Sequence, residues 1–342
     1  MTPWTTIERV VLCHPLRVMD ESIDGLTVAC VRDVSAAGRE DRLYLLAFDH
    51  RGSFEQKLLG IAGDPTSKDV KHIEDGKRLI FAGFRKALDS GLPLEGAGIL
   101  VDEKFGEGVA RAALALGAQL AMPVEQSGRD EFDFEFGEQF REHIARFEPT
   151  YAKVLVRYNA EGTAELNKRQ AVQLARLCDW LHDSSRRFLF ELLVPPEPHQ
   201  LASVDYEQDL YDRELRPELM IEAIRQLQEA GVEPDIWKIE GLDTREDCVR
   251  LAAAARAGRR QDVACIVLGR GGDEAKVIQW LRNGAGVPGF IGFAVGRTIW
   301  WDPLEAWLQG GSALDSAEAI ATCYCRLVDA YASADREAET RQ

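Results

Sequence analysis

The sequence predicts a single (β/α)8 TIM barrel of the α/β class, and three observations carry that expectation. From residue 43 onward, eight short apolar runs alternate with amphipathic helical patterns. No Gly-x-Gly-x-x-Gly opens a helix after the first run, so a dinucleotide-binding fold lacks its fingerprint. Glycine-arginine clusters follow the seventh and eighth runs instead, at Gly269-Arg270-Gly271-Gly272 and Gly296-Arg297. Those are the two loops at which barrels often hold a phosphate.

Residues 1–42 precede the alternation and form an N-terminal extension of unassigned role. Arg9 to Cys13 and Leu26 to Val31 read as two short strands, with a turn at Asp20-Glu21 or Asp24-Gly25. They would cap the barrel floor or serve an oligomer contact. The eight barrel strands are expected at Leu43–Phe48, Ala97–Val101, Gln119–Met122, Lys153–Val156, Phe188–Val194, Ile236–Ile239, Val263–Leu268 and Phe290–Val295. Each is a short apolar run bounded by Gly, Pro, Asp or Asn. Helical spacing marks Gly106–Leu116, Ala164–Leu181, Pro217–Ala230, Arg245–Ala257, Glu274–Arg282 and Ser316–Tyr331. The barrel therefore spans 43–335. A charged tail closes the chain, with Ala334–Gln342 expected to fray.

The bulk numbers limit the partners. A chain of 342 residues suffices for one large barrel or two ordinary domains. With 41 Lys plus Arg against 57 Asp plus Glu, the net charge is −16, which disfavours nucleic acid and anionic membrane surfaces. An anionic small substrate must then meet a local basic pocket. No stretch is long and apolar enough for a membrane span, and Met1–Leu16 has no signal-peptide core. Seven cysteines at irregular spacing and six scattered histidines give no zinc pattern. Reduced thiols make the cytoplasm the expected compartment. Apolar residues on outer helices allow a homo-oligomer, and the sequence does not decide it.

The chemistry is written in ionisable residues within apolar strands. Lys238 lies in Ile236-Trp237-Lys238-Ile239, Lys153 in Ala152-Lys153-Val154-Leu155, and Glu191 in Phe190-Glu191-Leu192. Such groups are costly to bury unless paired or neutral. A desolvated lysine near a second cation becomes a nucleophilic amine. Structural ion pairing explains one such residue readily, and three on consecutive inner strands less well. Barrel active sites lie at the C-terminal strand ends. That rim supplies Asp49, His50 and Arg51 after strand one, Asp102 after strand two, and Glu125 after strand three. Arg157, Tyr158 and Asn159 follow strand four, and Gly269, Arg270, Gly271, Gly296 and Arg297 follow strands seven and eight. Asp102 reads better as a structural helix-start residue, and Tyr158 and Asn159 as loop anchors.

Several strings occur in order at these strand ends: LAFDHRGSF (46–54), GILVDEKFG (98–106), AKVLVRYNAEG (152–162), FLFELLVPP (188–196), WKIEGL (237–242), VLGRGGD (267–273) and GFAVGRTIWWDP (292–303). On these the chain resembles the aldolase domain of myo-inositol catabolism, the 2-deoxy-5-keto-D-gluconate 6-phosphate aldolase domain (DUF2090), often fused behind a 5-dehydro-2-deoxygluconokinase. It is more distantly similar to class I tagatose-1,6-bisphosphate aldolases. The resemblance covers 43–335, and no kinase half accompanies it here.

The resemblance implies a class I aldolase barrel that needs no metal or cofactor. In it Lys238 is the Schiff-base lysine, Lys153 the second lysine, Glu191 the acid/base and Asp49 the first-strand aspartate. Arg297 is implied to bind phosphate, and Glu125 to sit on the rim. His50 and Arg157 depart from the tagatose pattern and would suit a substrate carboxylate. The implied substrate is a phosphorylated keto-sugar acid, 2-deoxy-5-keto-D-gluconate 6-phosphate. Lys153, as a cation, is expected to favour the neutral amine of Lys238. Two other readings stay open: a Schiff-base aldolase for another ketose phosphate (tagatose 1,6-bisphosphate or a sulfosugar phosphate), and a non-catalytic sugar-phosphate sensor.

Overall fold

Eight parallel strands close on one another in sequence order, β1-β2-β3-β4-β5-β6-β7-β8, with β8 paired back to β1. This computed structural model describes residues 42–61 and 63–340. The strands are β1 (Leu43–Ala47), β2 (Ala97–Leu100), β3 (Gln119–Pro123), β4 (Tyr151–Arg157), β5 (Arg187–Leu193), β6 (Ile236–Glu240), β7 (Ala264–Leu268) and β8 (Phe290–Val295). The predicted (β/α)8 architecture is therefore present, each strand within two residues of its expected bounds. The two strands expected before residue 42 lie outside the described residues.

The helices are α1 (Ser67–Asp89), α2 (Glu103–Leu116), α3 (Phe140–Phe147), α4 (Ala164–Asp183), α5 (Pro198–Ser203), α6 (Gln208–Leu210), α7 (Arg216–Glu229), α8 (Arg245–Ala255), α9 (Glu274–Gly284), α10 (Arg297–Leu308) and α11 (Ala313–Thr340). Thr66 opens α1 with a reciprocal capping box to Asp69. Asp102, Thr244 and Asp273 cap α2, α8 and α9 through side-chain oxygens. Among the described residues no helix is long and apolar enough to cross a membrane.

Strand periodicity sorts the side chains into two layers. Leu43, Leu45, Leu100, Ala121, Tyr151, Leu189, Ile236 and Ile266 fill the barrel interior. The alternate strand residues, including Phe190, Trp237, Cys265 and Phe293, pack outward under the helices. Trp237 is fully buried beside Phe190, with ring centroids 4.9 Å apart.

The chain end departs from expectation. Instead of fraying from Ala334, α11 continues to Thr340. Asp335 is the reason: it is buried, pairs with Arg42 and accepts the Gly286 amide at 2.9 Å. A buried anion with those partners pins the helical turn that carries it.

Candidate active site

The inward alternation continues upward from the interior apolar layer, and there it delivers charge. Two residues beyond Tyr151 comes Lys153, beyond Leu189 comes Glu191, beyond Ile236 comes Lys238, and beyond Ala47 comes Asp49. Glu191 lies directly opposite Lys238 in the β5–β6 register. All four line one cavity of about 590 Å3 at the C-terminal ends of the strands. His50, Arg51, Glu125, Arg157, Gly269, Arg270, Gly271, Gly296 and Arg297 line the same cavity. All the sequence candidates for catalysis and substrate binding thus meet in one place.

Glu191 is the centre of the arrangement. Its Oε1 is 2.9 Å from Lys238 Nζ, and its Oε2 is 2.8 Å from Lys153 Nζ. Lys153 also reaches Asp49 Oδ2 at 2.8 Å and Glu125 Oε1 at 2.9 Å. One ammonium therefore serves three carboxylates, donating hydrogen bonds to Asp49 and Glu125 and pairing by charge with Glu191. Both lysines are about 2 % exposed or less. The geometry revises one expectation: Lys153 does not stand as a lone cation beside Lys238, because it is paired with three carboxylates and shares one of them, Glu191, with Lys238.

The electrostatics follow from burial and these contacts. Burial opposes charge on Lys153, yet Asp49, Glu125 and Glu191 outweigh it and hold its pKa well above the usual lysine value. Burial alone would raise Asp49, but Lys153, with His50 and Lys238 adding, holds it well below the usual carboxylate range. Glu191 is likewise lowered against its burial by the two lysines. Glu125 goes the other way: burial outweighs Lys153 and Arg51 and raises it. Its Oε2 has no hydrogen-bond partner. Burial, helped by Arg297 and Lys238 against the pull of Asp49, pushes the His50 imidazole down to about 4.

The arginines divide into bound and available groups. Arg51 is buried and donates to the Glu125 carbonyl at 2.8 Å while pairing with Glu135 at 3.1 Å, so it holds the β3 loop. Arg270 is drawn to Asp212 at 2.5 Å and Glu240 at 3.0 Å. Arg297 begins α10, donates to the Arg270 carbonyl at 3.0 Å and, among the described residues, has no carboxylate partner. Gly271 has φ +74, the left-handed region that favours glycine, and a Cβ there would stand 2.8 Å from the Arg297 guanidinium, so a side chain at this position would also displace that arginine. Arg157 is half-exposed at the mouth and donates to the Arg129 carbonyl at 2.9 Å. In a barrel closed in sequence order, β4 and β8 lie across from one another. Arg157 and Arg297 therefore mark opposite walls, with Lys238 and Lys153 on the floor between them.

Several groups escaped the sequence reading. Glu240, two residues past Lys238 and on the same face, accepts the Val194 amide at 2.9 Å and pairs with Arg270. Asp212 and Arg216 complete that cluster from the segment after β5. The spacing from Lys238 to Glu240 was the available signal. Asp102, as expected, is structural: it caps α2 and pairs with the buried Lys77. Asn159 is an anchor, bonded to Pro195 and Gln200. Among the described residues, burial pushes the Cys178 thiol up to about 11 and those of Cys248, Cys265 and Cys323 to about 12, which disfavours their thiolates, and none of the four lines the cavity. Among the described residues no group of three or more His, Cys, Asp or Glu is arranged to hold a metal ion.

One protein-family model matches residues 18–335, and its description reads "Uncharacterized protein conserved in bacteria (DUF2090)". The match begins before β1, so it takes in residues that the quoted strings do not reach. No curated protein matches the chain.

Proposed function

We propose that this chain, which belongs to the DUF2090 family, is a class I aldolase, a carbon–carbon lyase of carbohydrate metabolism. The observation that carries the reading is the buried Lys238 amine, 2.9 Å from a carboxylate that holds a second amine on its other oxygen. That set supplies a nucleophile, a proton acceptor for it and a fixed counter-charge.

The substrate of this reading is 2-deoxy-5-keto-D-gluconate 6-phosphate, of the inositol breakdown route. It carries a phosphate at one end, a carboxylate at the other and a ketone between. Arg297, Gly269, Gly271 and Gly296 suit the phosphate, and Arg157 suits the carboxylate. Lys238 gives a proton to Glu191 and adds to the ketone. The carbinolamine then loses water, with Glu191 as the proton carrier, and leaves an iminium. Asp49 takes the proton from the hydroxyl on the carbon that becomes the aldehyde. It is a weak base at rest, and it suffices because the iminium draws the electrons of the breaking bond. Malonate semialdehyde leaves. The enamine takes a proton on carbon, and water hydrolyses the iminium to dihydroxyacetone phosphate and free Lys238.

The test is turnover on a panel of ketose phosphates, with dihydroxyacetone phosphate measured by a coupled dehydrogenase. The expected result is release of dihydroxyacetone phosphate and malonate semialdehyde, insensitive to chelator. Faster cleavage of tagatose 1,6-bisphosphate or of a sulfosugar phosphate would overturn the substrate. Ligand-induced thermal shift with no turnover would favour the sensor, and activity lost to chelator and restored by zinc would overturn the class I assignment.

A further inference from the structure

We propose that Lys77, a residue of helix α1 outside the barrel, is a positioning residue that sets the Asp49 carboxylate against Lys153. The inference rests on the aldolase reading and deepens it. The buried face of α1 carries Ile73, Gly76, Ile80 and Phe84, and Lys77 sits among them with 0 % exposure. An ammonium in that setting must find acceptors for all its protons. It finds them at the barrel's upper end: the Phe48 carbonyl at 2.6 Å, the His50 carbonyl at 3.2 Å and the Asp102 carboxylate. The Phe54 ring lies 4.9 Å away on a further side.

The two carbonyls decide what this contact does. They flank Asp49 in the chain, one before it and one after it. A single cation thus fixes both ends of the three-residue segment that carries the proposed base. The Phe48 amide already bonds to Leu100 of β2 at 2.8 Å and Arg51 is held by Glu125 and Glu135, so the chain is anchored on both sides of this segment and Lys77 holds the carbonyls within it. With the backbone held, the Asp49 side chain reaches Lys153 at 2.8 Å. Asp102 completes the fixture, because its other oxygen accepts the Phe105 amide at the start of α2. Lys77 does not line the cavity, so any effect on chemistry must pass through Asp49 and its neighbours.

Under the proposed mechanism Asp49 is needed for bond cleavage and not for imine formation. A positioning role therefore predicts a split that a merely structural role does not. K77M should form the borohydride-trappable imine with substrate at close to the wild-type rate, and cleave it about 100-fold more slowly. D49N should show the same split, and K77M/D49N should be no slower than D49N alone. D102N keeps an oxygen for the Phe105 amide and removes the charge facing Lys77. It should reproduce the split in milder form, and it carries the test if K77M does not fold. Three outcomes would overturn the inference: wild-type cleavage in the folded variants, trapping and cleavage falling together, or multiplicative losses in the double variant. If the wild-type protein neither traps nor cleaves, the aldolase reading fails by itself. A crystal structure of K77M or D102N then decides this inference alone: displacement of Asp49 from Lys153 supports it, and an unmoved Asp49 rejects it.

Discussion

Glu191 binds two lysine amines, one on each oxygen, and this explains how two lysines share a small buried space. The neighbouring His50 gives a sharper test. Its imidazole titrates at about 4 in the fold, against an ordinary 6.5. Between those values the unfolded chain binds a proton that the folded chain does not. Stability is therefore undiminished above about pH 6.5 and falls as pH drops toward 4, by up to about 3 kcal/mol. H50Q should lack that loss when urea midpoints are compared at pH 7 and pH 5; an identical loss in both proteins would reject the assignment. At the opposite wall, R157A should raise KM about 10- to 100-fold for the carboxylate-bearing substrate with little change in kcat. A fall in kcat at constant KM would place Arg157 in the chemistry instead. Lys153, Glu191 and Lys238 were legible in the sequence because ionisable residues are out of place in apolar strands. Asp212 was not, since a charge in a loop is ordinary until a fold sets arginines beside it, and Glu240 was marked only by its two-residue spacing from Lys238.

At the scale of elements, the strands were easier to read than the helices. Strands buried on both faces leave unbroken apolar runs, whereas α1 hides its period. Lys77, Gly76 and Gly83 interrupt its buried face, so the helix looks less amphipathic than it is. In α10 a tryptophan pair and an internal proline, Pro303, obscure the pattern in the same way. The junction from β8 to α10 is tightly fitted. A Cβ on Gly296 would stand 2.3 Å from the Ala47 carbonyl and 3.0 Å from the His50 ring. G296A should force the ends of β1 and β8 apart and lower stability by about 1–3 kcal/mol. A urea midpoint equal to that of wild type would show that the junction has slack.

Among the described residues the eight strands close into one sheet with no free strand edge, and its seam between β8 and β1 is covered from outside. Helix α11 is part of that cover: it buries Ile320, Tyr324, Leu327, Val328 and Tyr331, and the Tyr324 hydroxyl donates to the Tyr44 carbonyl of β1 at 2.7 Å. Removing residues 313–342 should abolish the near-ultraviolet circular dichroism of the native fold; a truncated chain that keeps it would show that the seam needs no cover. The net charge of −16 repels anions at long range, so the local arginines must account for any phosphate or carboxylate recognition. All of this chemistry converges on one amine on the β6 wall. The most direct measurement is borohydride reduction in the presence of the keto-sugar acid phosphate, followed by peptide mass mapping. The account predicts one reduced adduct, on Lys238, absent from K238M; an adduct on Lys153, or none while turnover proceeds, would contradict it.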